Sequence, residues 1–125
     1  MAAASLWTTP SDLARFVIEI QKSASGKSNK VLSQKMMNEM LTPGIEDFGL
    51  GLFLGEKADA RRSFYHGGGN EGIRNMMFAY TSAGQGAIVM TNSDNGQALI
   101  DEVLRAIARE YGWTNYLVED TPTLK

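Results

Sequence analysis

Residues 64–72 have the sequence FYHGGGNEG and contain the only histidine of this 125-residue chain. Three consecutive glycines follow the histidine, and apolar segments that predict strands lie on both sides. Consecutive glycines lose much backbone entropy on folding and add no side chain to a core. Within strands, glycines often mark the close approach of a ligand or of another backbone. The stretch therefore predicts the rim of a binding site.

The segments around this stretch predict an antiparallel meander. Ile73–Thr81 fits a helix face as well as an alternating strand, but nine residues between turn residues favour a hairpin arm. Gly86–Thr91 has the composition of a buried strand, and Phe48–Leu54 has glycine at alternate positions, as in a closely packed strand. The predicted strands are Phe48–Leu54, Ser63–His66, Ile73–Thr81 and Gly86–Thr91, with a polar turn over residues 56–62.

The N-terminal part predicts two helices. Thr9 suits an N-cap and Pro10 a first helical position, so the first helix begins here. Lys22–Lys30 is polar, with one glycine and three serines, and predicts a loop. A second helix starts at Ser33 and stops at residues 42–44, whose sequence is TPG. The predicted apolar faces are Leu13, Phe16, Val17 and Ile20 in the first helix, and Met36, Met37, Met40 and Leu41 in the second.

A last helix completes the predicted fold. Residues 92–96, with the sequence NSDNG, predict its start, and Gly112 predicts its end. We expect an α+β fold in which an antiparallel sheet of three to four strands has flanking helices, laid on one side of the meander. We expect residues 1–125 to form one domain and residues 119–125 to form a frayed tail. The predicted apolar face of the last helix consists of Leu99, Ile100, Val103, Leu104, Ile107 and Tyr111.

The composition excludes several classes of function. A net charge of −2 and scattered basic residues argue against a nucleic-acid surface. The chain has no cysteine, so it has no disulfide and no thiolate nucleophile. Its longest apolar runs, such as Ala87–Met90, are too short to cross a membrane. Residues 1–4 lack the features of a signal peptide and are more typical of a cut than of a natural beginning.

Two motif interpretations of the glycine stretch do not fit the rest of the sequence. Gly67, Gly69 and Gly72 fit the dinucleotide pattern G-x-G-x-x-G, and Asp94 follows at about the spacing of its acidic residue. That pattern should open a helix, whereas a strand is predicted here. The second interpretation is the His-Gly-Gly-Gly oxyanion loop of lipase-like α/β-hydrolases, which requires a G-x-S-x-G elbow that this sequence lacks.

Purely structural roles account for the same residues without any chemistry. A lone histidine beside glycines often ends a strand and hydrogen-bonds locally, as His66 would. Trp7 and Trp113 suit packing near the two chain ends. Asn92 and Asp94 suit the turn and cap before the last helix. Glu71 and Arg74 suit an exposed ion pair, which would contribute little.

Four segments together resemble the serine β-lactamase and penicillin-binding-protein-like hydrolases, including class C β-lactamase-related esterases and D-aminopeptidases. They cover the chain in the family's order from about residue 5 to residue 112 and resemble its C-terminal part. The segments are LWTTPSDLARF at residues 6–16, FGLG at 48–51, YHGGGNEG at 65–72 and TNSD at 91–94.

The resemblance implies a partial β-lactamase/transpeptidase-like fold that carries part of an active site. His66-Gly67-Gly68 matches the family's third motif, K-T-G or H-x-G, on the sheet strand that flanks the substrate. Gly69 would then supply one oxyanion N–H, and His66 would orient substrate or stabilise charge. The implied substrate-binding residues are His66, Gly67, Gly68, Gly69 and Asn70, with no metal and no organic cofactor.

The family's other two motifs are missing from this sequence. No serine is followed by lysine three positions later, as S-x-x-K requires, and no tyrosine begins a Y-x-N. We therefore expect a C-terminal portion of a longer serine hydrolase, inactive alone. The alternative is a non-catalytic binding or assembly module on the same scaffold. The resemblance does not determine the cellular compartment of the chain, because family members work in the cell envelope, outside the cell or in the cytoplasm.

The expected partners follow from that incomplete site. The intact parent would act on a small-molecule amide, ester or peptide by forming an acyl-serine. A fold stripped of its N-terminal strands and helices would leave open sheet edges. We expect a homo-oligomer, or association with the missing N-terminal part.

Overall fold

The computed structural model describes residues 6–55, 62–113 and 116. The predicted tail at residues 119–125 and most of the predicted turn at residues 56–62 lie outside them. The prediction of an α+β fold is confirmed, because the described residues form three helices and one four-stranded antiparallel sheet of strand order β1-β2-β3-β4. The elements are α1 (Pro10–Ala24), α2 (Gln34–Met40), β1 (Phe53–Leu54), β2 (Ser63–Asn70), β3 (Ile73–Tyr80), β4 (Gly86–Thr91) and α3 (Gly96–Glu110).

Helix α1 begins as predicted. The Thr9 hydroxyl accepts a hydrogen bond from the Asp12 N–H at 3.1 Å, and Pro10 occupies the first turn. The predicted loop start at Lys22 is wrong, because the helix continues to Ala24. The reason lies in Ser23, which is fully buried and donates its hydroxyl to the Leu32 carbonyl at 2.7 Å. This bond holds the last turn of α1 against the loop that leads to α2.

Helix α2 is a short helix whose apolar face is narrower than predicted. The Ser33 hydroxyl accepts from the Met36 N–H at 3.3 Å, which confirms the predicted start. Met37 and Leu41 are buried, whereas Met36 is 50% exposed. Seven residues form only two turns, so one row of side chains is enough to attach the helix to α1.

The helices lie on both faces of the sheet, and the prediction that they lie on one side is wrong. Helices α1 and α2 share one core with Leu54, Phe64 and Met77. Helix α3 shares a second core with Met76 and Phe78. Strand β3 explains why both faces of the sheet carry helices. Residues 76–80 are all buried, and successive residues of a strand point to opposite faces. Both faces of β3 therefore need a cover.

The three glycines lie inside a strand. Strand β2 was predicted to end at His66, but it continues through Gly67–Gly69 to Asn70 and pairs with β3 over eight residue pairs. The two-residue turn at Glu71 and Gly72 then returns the chain, with Gly72 at a φ of +75° that glycine adopts without steric strain. The glycine stretch is thus a fixed strand of the sheet.

The predicted strand Phe48–Leu54 is mostly a tight turn. Only Phe53 and Leu54 form β1, and Phe48 is bridged to Phe53 across the turn. The Gly49 N–H donates to the Leu52 carbonyl at 2.8 Å, and Gly51 has a φ of +81°. The alternating glycines therefore reverse the chain direction.

Helix α3 packs on the sheet through a row spaced four residues apart. Ile100, Leu104 and Ala108 are buried, whereas Leu99 is 56% and Tyr111 66% exposed, so the predicted face was too wide. Trp113, just beyond the helix, is buried among Phe78 and Tyr80 as expected for a packing residue.

Trp7 contradicts its predicted packing role, because 89% of it is exposed. Among the described residues, no helix is long and apolar enough to cross a membrane.

Replacement of Gly96 by alanine is expected to destabilise the fold by about 1–3 kcal/mol, because α3 meets the sheet too closely for a methyl group. A Cβ there would overlap the Thr91 hydroxyl and lie 2.8 Å from the Thr91 Cβ and 3.1 Å from the Arg74 Cβ. This penalty exceeds the helix-propensity gain of at most about 1 kcal/mol. The free energy of unfolding from urea denaturation measures the difference.

The matched control is Gly68→Ala, whose Cβ would meet nothing within 4 Å. Its free energy of unfolding should stay equal to that of the parent or rise by up to about 1 kcal/mol. Equal stabilities for the two variants would contradict the close approach of α3.

Candidate active site

The second half of strand β2 forms one free edge of the sheet. Strand β1 pairs with Tyr65 and Phe64 and ends there. Beyond Tyr65, no strand of the described part of the chain pairs with this side of β2. The stretch from His66 to Asn70 is therefore paired with β3 on one side and open on the other.

The direction of each backbone group along this edge follows from two hydrogen bonds. The Ser63 carbonyl accepts from Gly55 at 2.9 Å, on the β1 side, whereas the Arg62 carbonyl accepts from Thr81 at 2.8 Å, on the β3 side. Backbone groups of successive strand residues alternate between the two sides. The N–H and C=O of Gly67 and Gly69 therefore point to the open edge.

His66 stands at the start of this edge. Its side chain is exposed, and its ring centroid lies 5.8 Å from that of Phe53. Phe53 in turn stacks on Tyr65 at 5.5 Å, so an aromatic group closes the end of the open edge. The local hydrogen bond proposed for a strand-ending histidine is not formed with any described residue. The imidazole is thus free to meet a molecule that lies along the strand.

A groove of about 400 Å³ runs beside these residues on the face that carries α1. Its sheet side contains His66–Asn70, and its other walls come from α1 and from the turn before β1, including Leu13, Phe16 and Leu52. A Cβ at Gly68 would meet nothing within 4 Å, so the glycine leaves this part of the groove unfilled. The stretch predicted to be the rim of a site therefore borders a groove.

An ionic network that sequence reasoning missed holds the turn after the glycines. The Asp94 carboxylate accepts the Gly72 N–H at 2.8 Å, and the Arg74 guanidinium donates to the carbonyls of Asn70 at 2.6 Å and Ile73 at 2.8 Å. Arg74 lies 3.7 Å from Asp94, so the predicted Glu71–Arg74 pair is wrong. No local pattern links Asp94 to a turn that lies 22 residues earlier in the chain.

Asp94 belongs to this network and does not have the role predicted for it, which was to cap helix α3. Helix α3 has Asn95 as its N-cap, without a side-chain capping bond, so Asp94 does not cap it. The Arg74 side chain also lies against Gly69, where a Cβ would be 3.4 Å from the Arg74 Cδ. The network therefore supports the backbone of Gly69 from the α3 side.

The predicted site residues all occur together on one strand. His66, Gly67–Gly69 and Asn70 form the last five residues of β2 and all line the groove. Asn75, opposite Gly68 on β3, lines the groove as well and was not predicted. Strand β3 follows Gly72, where the dinucleotide pattern G-x-G-x-x-G would open a helix.

Comparison with curated proteins gave no match to this chain. Comparison with protein families gave a match to the family described as Beta-lactamase, over residues 1–110. The matched residues include α1, α2, the whole sheet, the groove and α3. Because the match covers most of the 125 residues, the chain belongs to the Beta-lactamase family.

Proposed function

We propose that this chain supplies the substrate-flanking strand of a serine hydrolase, with Gly69 N–H as one of the two oxyanion donors. The observation that carries the proposal is the open edge of β2, where Gly67 and Gly69 present backbone groups beside an exposed histidine and a groove. An oxyanion donor must be fixed before the reaction starts. The pairing with β3 and the Arg74 network fix Gly69 in this way.

In the proposed reaction, a serine hydroxyl attacks the carbonyl carbon of an amide or ester, and the carbonyl oxygen becomes negatively charged. The Gly69 N–H donates to that oxygen, while Gly68, without a side chain, lets the substrate lie close to the strand. A general base, supplied with the nucleophile from outside these 125 residues, takes the serine proton and returns it to the departing amine or alcohol, whose release leaves an acyl-serine. Water then attacks the acyl carbon, the acid is released, and the serine regains its proton. His66 orients the substrate or stabilises charge beside the nucleophile.

The nucleophile is proposed to come from a polypeptide segment outside these 125 residues. None of the nine serines is followed by a lysine three positions later, and no tyrosine begins a Y-x-N sequence. The chain would then correspond to the C-terminal portion of the family fold and would lack hydrolytic activity alone. Its substrates, as part of the complete enzyme, would be a small amide, ester or peptide.

Exposed apolar side chains support a second candidate function, that of a non-catalytic binding or assembly module. Trp7, Leu6 and Leu50 are 89%, 78% and 69% exposed, and Leu6 lines the groove together with His66. Apolar side chains around a groove are typical of a surface that another polypeptide covers. For both candidate functions, we propose that the chain associates with a second copy of itself or with the segment that carries the nucleophile.

Labelling the purified chain with serine-directed reagents tests whether the chain is catalytic by itself, as neither candidate function requires. A fluorophosphonate phosphonylates activated serines, and a fluorescent penicillin acylates them. No activated serine is expected in this chain, because the S-x-x-K motif is absent. Intact mass spectrometry should show the unmodified chain after treatment with either reagent. A single stoichiometric adduct would contradict the proposal, because one of these serines would then be activated.

Amide hydrogen exchange tests the proposed direction of the oxyanion donor. The amides of Gly67 and Gly69 should exchange rapidly, because they face the open edge, whereas those of His66 and Gly68 should be protected by their pairing with β3. Residue-resolved NMR exchange on the intact chain measures all four. Protection of Gly69 together with rapid exchange of Gly68 would reverse the inferred direction and remove Gly69 as a donor.

A further inference from the structure

We propose that the substrate carries an aromatic ring that packs on Phe53, about 7 Å along the strand from the reacting carbonyl. The inference deepens the proposed function and rests on it, because Gly69 sets the position of the carbonyl. It names a substrate class, namely amides or esters with an aromatic ring on the side of the scissile bond that lies toward His66. The evidence is a row of aromatic rings that ends at the open edge of β2.

The aromatic row consists of Phe78, Tyr65, Phe53 and Phe48, and it runs from the interior of the sheet to its edge. Phe78 stacks on Tyr65 with 6.5 Å between the ring centroids, and Tyr65 stacks on Phe53 at 5.5 Å. Phe48 meets Phe53 edge to face at 4.7 Å. These are favourable arrangements of aromatic pairs, so each ring is held in place by the next one.

The row lies on the face of the sheet that carries α3. Tyr65 and Phe78 pack in the second core, beneath that helix. Phe53 is the register partner of Tyr65, and paired residues of antiparallel strands place their side chains on the same face. The aromatic row is therefore an extension of the second core toward β1.

The rings at the outer end of the row are partly exposed. Phe78 is 4% exposed, whereas Phe53 is 41% and Phe48 is 40% exposed. Phe53 keeps this exposed surface although it contacts the rings of Tyr65, Phe48 and His66. Exposed apolar surface beside a groove is typical of a ligand site. Phe53 and Phe48 thus form a fixed apolar surface at the end of the candidate site.

A molecule bound along the open edge of β2 would lie in line with Phe53. Strand β1 occupies the place beside β2 as far as the pair of Phe53 and Tyr65. The place beside His66 and Gly67 continues that line. A group opposite Gly67 would share the face of Phe53 and lie about 7 Å from it along the line, because residues two apart in a strand have this spacing. Aromatic rings make contact across such a distance.

The face of β2 next to the aromatic row has no side chains of its own. Tyr65, Gly67 and Gly69 alternate onto the face of α3, and the two glycines leave that face bare. Met76, the register partner of Gly67, is buried in the second core. A substrate ring opposite Gly67 would therefore extend the aromatic row by one ring and lose contact with water.

The proposed oxyanion donor determines how far the ring lies from the scissile bond. Gly67 and Gly69 are two residues apart, which corresponds to about 7 Å in a strand. An ethyl group attached to the reacting amide or ester is too short to cover this distance, whereas a phenylethyl group covers it. The site should therefore favour aryl-substituted amides and esters over those with short aliphatic groups.

NMR titration of the intact chain with N-(2-phenylethyl)acetamide tests the inference without any need for catalysis. This probe carries an amide carbonyl and a phenyl ring at about the required separation. We expect chemical-shift changes in the ring protons of Phe53 and Tyr65 and in the amide of Gly69. N-Ethylacetamide, which lacks the ring, should leave the ring protons of Phe53 and Tyr65 unchanged.

A pair of variants separates the ring contact from general apolar binding. Phe53→Leu keeps an apolar side chain without the ring, and it should weaken binding of the phenyl probe by about two- to tenfold, the usual effect of losing an aromatic pair. Tyr111→Leu is the matched control, since Tyr111 is an exposed ring at the end of α3 that does not line the groove. It should bind the probe as the parent chain does, and circular dichroism should show that both variants are folded.

The inference and the proposed function fail in different ways. A shifted Gly69 amide with unchanged rings of Phe53 and Tyr65 would overturn the aromatic contact and leave Gly69 as a donor. Shifted rings with an unchanged Gly69 amide would support the aromatic contact and contradict the proposed donor. Absence of any shift in the parent chain, or equal affinity of folded Phe53→Leu and the parent chain for the phenyl probe, would overturn the inference.

Discussion

The burial of strand β3 on both faces is the constraint on which the rest of this structure depends. Residues 76–80 are all buried, and their side chains alternate between the two cores. Full burial of one large apolar side chain contributes about 1.5–3 kcal/mol. Such a strand is stable only with neighbouring strands on both edges and helices on both faces. The positions of α1 and α3 on opposite faces, and of β2 and β4 on opposite edges, follow from this requirement.

The candidate site depends on that support, because glycines contribute little to their own stability. Gly67–Gly69 lie in a strand without side chains of their own, so their backbone is held by the pairing with β3 and by the Arg74 and Asp94 network. The same glycines leave the groove unfilled and the edge accessible. Rigid support on one side and open space on the other are what an oxyanion donor requires. Membership of the Beta-lactamase family agrees with this arrangement, and the role of Gly69 itself is our proposal.

The sequence predicted the parts of the fold that depend on local chemistry. Thr9 with Pro10 predicted the start of α1, and the apolar run at Gly86–Thr91 predicted β4 with its observed bounds. The sequence prediction placed the helices on one side of the sheet, whereas the continuous apolar run at residues 76–80 of β3 requires a cover on both faces. The Arg74–Asp94 network joins residues 20 positions apart, and no local spacing indicates it. Local patterns likewise could not show that Gly49–Leu52 would form a turn, since this depends on backbone angles that glycine alone permits.

The most direct test of the proposed role is reconstitution of ester hydrolysis with a polypeptide that carries the family's S-x-x-K and Y-x-N motifs. We expect hydrolysis only when both polypeptides are present. Gly69→Pro, which removes the N–H, should lower kcat by about 10²–10³-fold, the usual effect of losing one oxyanion donor. Gly69→Ala keeps the N–H and should retain most of the activity, since its Cβ would meet the flexible Arg74 side chain at 3.4 Å. Equal activity of the proline variant and the parent chain would contradict the account.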